Sequence, residues 1–460
     1  MAELLVRGGT LITPAGPQRG DLAIEDGLIT AIAPELPGAQ EEIDARELVV
    51  FPGLIDDHVH FNEPGRTDWE GAATGSSALA AGGGTLYFDM PLNSSPCTVG
   101  REEFEQKRVA LERASITDFA LWGGIVPGNC DALAALAACG VVGFKAFLSD
   151  SGLAEFPRAD DVTLYEGMRQ AAKLGLPVSV HAESEELTKT LARRAAAEGR
   201  TGIRDYLDSR PVLAEVEAIR RATLFAAETG AKLHIVHVSS GKGVVAAAEA
   251  RSRGADVSIE TCPHYLFFTE DDLLALGAVA KCAPPLRTAD VRDALWTKLI
   301  EGLVDIVASD HSPSPPAMKQ GGDFFRIWGG VAGVQSTLAV LLEEGHYRRG
   351  LPLAAIARLT AAEPARRFAI PAKGSIEIGR DADLTLVDLH ASHTLREEAL
   401  FQKHRLSPYT GRTFRGAVRR TILRGTTIFA DGKIRKSGGG RLIRPNLINQ
   451  APHATIGTHM

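Results

Sequence analysis

Between residues 54 and 309, short apolar runs alternate with amphipathic stretches, and this alternation limits the fold more than any other feature of the sequence. The runs fall at 54–60, 85–90, 118–121, 142–147, 177–181, 233–238, 256–260 and 305–309, eight in all. Helical periodicity fills the intervals, as at 212–229 and 289–301. Strands separated by helices pair in parallel, and eight such units close into a (β/α)8 barrel, an α/β fold. The two ends of the chain have another texture. Apolar runs at 4–6, 10–12, 22–24, 28–32 and 48–51 are divided by turn residues, and similar runs return at 383–387, 418–423 and 427–429. Residues 1–50 plus 375–445 are therefore expected to form one composite small β-sandwich domain around a barrel spanning 51–374, with 446–460 as a C-terminal tail. A length of 460 residues suits a large barrel with a smaller module.

Composition closes off several classes of function. A formal net charge of -7 leaves no basic face for a nucleic acid. No run of 18 apolar residues exists, so no membrane span is expected. The start, MAELLVRGGTLITP, lacks the basic residues and long apolar run of a signal peptide. The five cysteines (Cys97, Cys130, Cys139, Cys262 and Cys282) are odd in number and show no paired spacing. Free thiols in a reducing cytoplasm are the expectation.

The polar residues that end the apolar runs carry the chemistry. His58 and His60 lie two apart at the end of the first run, so a strand puts both imidazoles on one face, as a metal requires. Taken alone, such a pair is as often bonded to backbone as to a metal. Lys145, in Gly-Phe-Lys-Ala-Phe, sits on what should be a buried strand, where an unpaired ammonium is costly or loses its proton. His181 ends the fifth run, His237 the sixth, and Asp310 follows the eighth. Barrel enzymes build their sites at these C-terminal strand ends, so the six residues converge on one place.

Other conspicuous residues take blander readings. His234, three residues before His237, is expected to be packed, and His311 to point away from Asp310. His264 is open between approaching the site and shaping its own turn. Glu183 and Glu185, just past His181, read first as solvated acids at a helix start, with partners supporting His181 as the alternative. Gly82-Gly-Gly84 precedes a strand instead of following one, so it is a turn and no phosphate loop. Cys262 and Cys282 read as core or pocket-wall residues, and the terminal Gly-Thr-His-Met as uninformative.

With these residues in view, the chain resembles the amidohydrolase superfamily: His58-Val-His60, Lys145, His181, His237 and Asp310 stand in its characteristic order. In the cyclic amidase branch the resemblance implies two divalent metal ions bridged by Lys145 in carboxylated form. An ammonium would repel two dications, whereas a carbamate offers two anionic oxygens. The resemblance further implies that His58, His60 and Asp310 bind the more buried ion, and His181 and His237 the other. Zinc leads as the metal, with cobalt, manganese and iron open, since sites of this composition accept all of them.

Longer runs are similar to the allantoinase family and extend over nearly the whole chain. They include Asn62-Glu-Pro-Gly-Arg66, Asp89-Met-Pro-Leu-Asn93, Cys262-Pro-His-Tyr265, Lys281-Cys-Ala-Pro-Pro-Leu-Arg287 and His404-Arg-Leu-Ser-Pro-Tyr-Thr-Gly-Arg412. Ser314 departs from them, standing where that family often has cysteine. This resemblance implies hydrolysis of the cyclic amide of allantoin to allantoate, a step of purine and ureide degradation. A hydroxide bridging the two metals attacks, and Asp310 passes its proton to the departing nitrogen. A homotetramer is implied by the same relatives. Dihydroorotase-like enzymes place an arginine where this chain has Asn62, and a neutral amide cannot neutralise a ring carboxylate. Asn62, Cys282, Ala283, Ser309 and Gly330 are the candidates for substrate contacts. Hydantoinase, dihydropyrimidinase and dihydroorotase activities are the alternatives. A non-catalytic scaffold of the same fold is the rival from another class, and the presence of all six ligand candidates speaks against it.

Overall fold

The computed structural model describes residues 2–447; the Gly-Thr-His-Met ending and most of the expected tail lie outside them. All eight expected runs form strands: Leu54–Val59, Gly84–Asp89, Asp118–Leu121, Phe144–Phe147, Val178–His181, Leu233–Ile235, Val257–Thr261 and Ile306–Val307. They are parallel wherever they pair. The third strand breaks at Trp122. Its first part pairs with Gly84–Asp89, while Gly123–Gly124 pairs onward with Phe144–Phe147. Closure comes from a parallel bridge between Val59 and His311, with the His60 amide donating to the His311 carbonyl at 2.8 Å. Every residue in seven of the eight strands is buried, and Phe147 alone is half-buried in the remaining one. That is why they read as continuous apolar runs rather than as alternating ones.

The helices between them are bounded by their own sequence. Val212–Thr229 starts after Pro211 and ends at Gly230, whose φ of 70° is left-handed. Its buried stripe, Ala214, Ala218, Ile219, Ala222 and Ala226, follows the helical repeat and lies against the barrel. Asp161–Leu174 begins on Asp160, whose carboxylate accepts from the Thr163 amide at 2.8 Å, and ends on left-handed Gly175.

Strands from both ends of the chain share one nine-stranded sheet. Leu4–Thr13, Gly16–Glu25, Leu28–Ala33, Glu41–Asp44 and Val49–Pro52 come from the first part. Leu384–Thr394, Thr413–Leu423, Thr426–Ala430 and Lys433–Ile434 come from the last. The two groups meet where Val49–Pro52 pairs antiparallel with the start of Leu384–Thr394. Glu41–Asp44 and Lys433–Ile434 carry too few apolar residues to have stood out in the sequence.

A buried ion cluster joins sheet and barrel. The Lys373 ammonium, 1% exposed at its side chain, lies 2.9 Å from Asp118, 2.8 Å from Asp381 and 2.7 Å from Asp383. Asp118 opens the third barrel strand, while Asp383 accepts from the Arg424 amide of the sheet. Removing one partner of a buried ion pair leaves the rest uncompensated and costs about 3–5 kcal/mol. Lys373→Met is therefore expected to lower unfolding free energy by about that amount in denaturant titration. A change below about 1 kcal/mol would show that the cluster does not hold the two parts together.

Candidate metal centre and catalytic cavity

The strand ends bring the six sequence-predicted residues to one end of the barrel in two groups. In the first, His58 Nε2 and His60 Nε2 lie 3.3 Å and 3.5 Å from the same Asp310 oxygen. One donor atom from each of the three falls within 4.8 Å of the others. In the second group, His181 Nδ1 and His237 Nε2 face each other at 3.0 Å. Lys145 belongs to neither contact. Its side chain is fully buried and its Nζ has no hydrogen-bond partner among the described residues. Burial lowers the imidazoles of His58, His181 and His237 most, and the Lys145 charge adds to the lowering at each, so it acts on both groups.

Burial brings the Lys145 ammonium down to about 8, against the opposing pull of Glu260 and Asp310. Burial would raise the Asp310 carboxyl, but the imidazoles of His58, His237 and His60 outweigh it and hold it far below the usual carboxylate range. His237 is pushed well below the ordinary imidazole value, first by burial and then by His181. Asp310 is thus held as a carboxylate, and burial biases His58, His181 and His237 towards the neutral imidazole, the forms that bind metals. Backbone strain is concentrated here as well. His237 and Asp310 have φ of 40° and 46°, a region few residues other than glycine occupy. Each costs of order 1–3 kcal/mol and persists only where the surroundings demand it.

Two buried carboxylates orient the rings. Glu260 Oε1 accepts from His58 Nδ1 at 2.9 Å and from the His237 amide at 2.9 Å, and its Oε2 bonds His234 Nε2 at 3.0 Å. The bond at Nδ1 fixes the His58 tautomer and leaves Nε2 free to face Asp310. Glu183 bonds His181 Nε2 at 3.0 Å and is itself gripped by Arg210. Burial would raise Glu183, yet Arg210 and His181 bring it down to about 2. Glu183 thus departs from the solvated acid expected of it: it is fully buried and turns His181 so that Nδ1 faces His237. Glu185, also buried, caps the Asp150 amide and pairs with Lys189.

The remaining histidines divide. His234 is packed as expected, with Nδ1 on the Ser258 hydroxyl at 2.8 Å and its ring fully buried. His311 turns away from the cavity, its Nδ1 accepting from the Gly333 and Val334 amides. Glu260 was missed in the sequence. The signal was present, because Ser258 and Glu260 are two apart on one strand and both reach His234.

These groups floor a cavity of about 500 Å³. Cys282, Ala283 and Gly330 line it, as do Asn93, Tyr206 and Arg210. Gly330 must be glycine, since its φ is 125° and a Cβ would strike the Ser312 carbonyl. Asn62 and Ser309 lie outside the lining. The Asn62 amide donates to the Pro313 carbonyl at 3.4 Å, and Ser309 is tied to Asp56 and the His311 amide. Asn62 therefore reads as a support of the loop after Asp310.

The donor set fits divalent cations. The His58 and His181 rings are held from behind, nitrogens of the four histidines face a carboxylate or each other, and a buried amine lacks a hydrogen-bond partner among the described residues. Such a centre on the C-terminal rim of a barrel defines a class, the metal-dependent amidohydrolases. The chain belongs to the amidohydrolase family, whose model matches residues 49–428. Several of its relatives are allantoinases. It is 68% identical over 459 residues to that of Solibacter usitatus, covering 100% of both chains. It is 56% identical to that of Rubrobacter xylanophilus, covering 96% of this chain and 98% of the other. Among solved structures, the L-hydantoinase (dihydropyrimidinase) from Arthrobacter aurescens superposes with a TM-score of 0.94 at 32% identity, covering 96% of this chain and 100% of that one. Dihydropyrimidinase from Brevibacillus agri gives 0.90 at 29% identity, covering 97% and 99%.

Proposed function

We propose that the chain is a hydrolase of cyclic amides that opens the hydantoin ring of allantoin to give allantoate. The observation that carries the chemistry is the two donor groups at one end of the barrel, together with a buried lysine that has no hydrogen-bond partner among the described residues. The choice of ring rests on full-length likeness to allantoinases. His58, His60 and Asp310 would hold one divalent ion and His181 and His237 a second, with Lys145, carboxylated at Nζ, shared between them. When bound, the ions supply Lewis acidity, making a water acidic enough to act near neutral pH and polarising the scissile carbonyl.

The chain's own residues do the rest. The water's oxygen bonds to the ring carbonyl carbon, the carbon–nitrogen bond breaks, and a carboxylate and the NH2 of a ureido group result, with one proton released to solvent. Asp310 takes the proton that the water loses and returns it to that nitrogen. Glu260 and Glu183 keep His58 and His181 in the tautomers that present their free nitrogens. The walls at Cys282, Ala283 and Gly330 orient the ring, and Arg210 lines the cavity beside them. Zinc as the metal, a homotetramer and a cytoplasmic location belong to the same reading, which the five free cysteines support. So does a division of the chain into 1–50 plus 375–445 and 51–374. Among the described residues no helix is long and apolar enough to cross a membrane.

A second reading, turnover of plain hydantoins or dihydropyrimidines, is favoured by the superposition on L-hydantoinase. Initial rates on allantoin, hydantoin, dihydrouracil and dihydroorotate, with metal and bicarbonate present, separate the two. Allantoin is expected to exceed the others in kcat/KM by about 100-fold, since a site built to bond a polar group rejects analogues lacking it. Faster turnover of hydantoin or dihydrouracil would give the second reading precedence and leave the mechanism intact.

A further inference from the structure

One buried group beside Asp310 has no part in this scheme. His264 follows the barrel strand Val257–Thr261, in the short helix Pro263–Phe267. It is 1% exposed, and neither ring nitrogen has a hydrogen-bond partner among the described residues. Its ring packs at 4.2 Å on Tyr265, a contact any apolar side chain would make as well. Packing alone therefore gives no reason to bury two unsatisfied nitrogens here. Cys262, a free cysteine, is fully buried two residues earlier. One donor atom each from Cys262, His264 and Asp310 lies within 4.8 Å of the others.

A thiol sulfur, an imidazole nitrogen and a carboxylate oxygen form a donor set suited to zinc or cadmium. Manganese and magnesium, which prefer oxygen, are poorly served by it. The two groups that flank Lys145 contain no sulfur, so the set differs from theirs in kind. We propose that Cys262, His264 and Asp310 form a further metal site, which takes a thiophilic divalent cation present in excess. Binding forms a sulfur–metal bond and releases the thiol proton to solvent, with nothing oxidised or reduced. The thiolate offsets part of the added positive charge. The remaining repulsion from ions at the flanking groups makes this site the weaker one. Occupancy takes Asp310 away from the proton it would carry, so excess zinc inhibits; this consequence rests on the proposed reaction, whereas the site does not.

The test is titration of the metal-loaded protein with cadmium, read by the ultraviolet thiolate-to-cadmium charge-transfer band. Exchange at the flanking groups adds no such band, because they hold no cysteine. The wild type is expected to develop the band and saturate, Cys282→Ser to keep it and Cys262→Ser to lose it. A band undiminished in Cys262→Ser, or none in the wild type with cadmium in large excess, overturns the site. His264→Asn leaves every thiol in place and decides the matter if Cys262→Ser does not fold. Outer-sphere partners alone change metal affinity about 10–100-fold, so loss of a direct ligand should weaken cadmium at least as much. Unchanged affinity in His264→Asn overturns the proposal. Zinc is expected to inhibit the wild type at concentrations that leave Cys262→Ser active. If the band behaves as expected but zinc inhibits both equally, the site stands and the role given to Asp310 falls.

Discussion

Lys145→Ala is expected to lose at least about 10⁴-fold in kcat/KM, because metal ions lower the pKa of a water from 15.7 to about 7 and the variant cannot hold the pair. The argument joins the positions of the donors to the charge of the buried amine. His58, His60 and Asp310 make one donor group and His181 with His237 the other, and Lys145 is the buried residue whose charge reaches both. Metal analysis of the variant should give at most one ion per chain. Two tightly held ions with the rate gone would mean that Lys145 does something other than join the groups. The variant should also fold. Among the described residues Nζ has no hydrogen bond to lose, only a contact over the Phe147 ring at 5.1 Å, and removing a buried amine relieves desolvation.

The pH dependence follows from the same burial. The folded amine titrates near 8 and the unfolded one at the ordinary value of 10.5. Between these values the unfolded chain binds the proton that the folded chain has released, so raising pH stabilises the metal-free fold in that window. Below about 8 both states are protonated and the full penalty is present. Lys145→Ala should lack this rise. Carboxylation needs the free amine, since nitrogen attacks the carbon of carbon dioxide and gives up a proton. Reactivation of metal-free protein by metal and bicarbonate is therefore expected to accelerate with pH and level off above about 8. A rate independent of bicarbonate would remove the carbamate from the scheme.

Five of the six ligand candidates visible in the sequence share one property: each is a polar residue at the end of an apolar run, whereas Lys145 stood out inside one. His58 with His60, His181, His237 and Asp310 could be found that way because strand ends point at the barrel mouth whatever the loops do. Position within a loop was less legible. Asn62 follows His60 by two residues, but its φ of 63° turns it towards Pro313 instead of the cavity. The strand reading predicted 233–238, whereas the strand stops at Ile235 because the chain turns at His237, with φ of 40°. Glu183 looked like a helix-start acid since its partner, Arg210, comes 27 residues later and no local pattern links them. Glu260 also closes its run, but the rings it bonds, His58 and His234, lie 202 and 26 residues away and no local pattern links them. Long-range pairing of buried charges is what local periodicity cannot report, and the Lys373 cluster, which ties Asp118 to Asp383, is another case.

Asp310→Asn separates binding from proton transfer. The amide is nearly isosteric and still offers an oxygen towards His58 and His60, so an ion at the first group is weakened but not excluded. What the amide cannot do is accept a proton at any working pH. General acid–base groups contribute about 10²–10⁴ to rate, and kcat should fall by that factor in protein shown to carry its full metal content, with KM little changed. A variant that recovers its rate as metal occupancy is restored would reduce Asp310 to a ligand. The deficit should also depend on the substrate. A departing nitrogen of low basicity needs little help from a proton donor, whereas a basic one cannot leave without it. Across a series of ring amides, the ratio of wild-type to Asp310→Asn rates is thus expected to shrink as the leaving nitrogen becomes less basic. A constant ratio would place Asp310 at the attack of water alone and require another donor for the nitrogen. His264 is the nearby buried residue with both nitrogens unengaged, so the His264→Asn variant would then be measured on the same series.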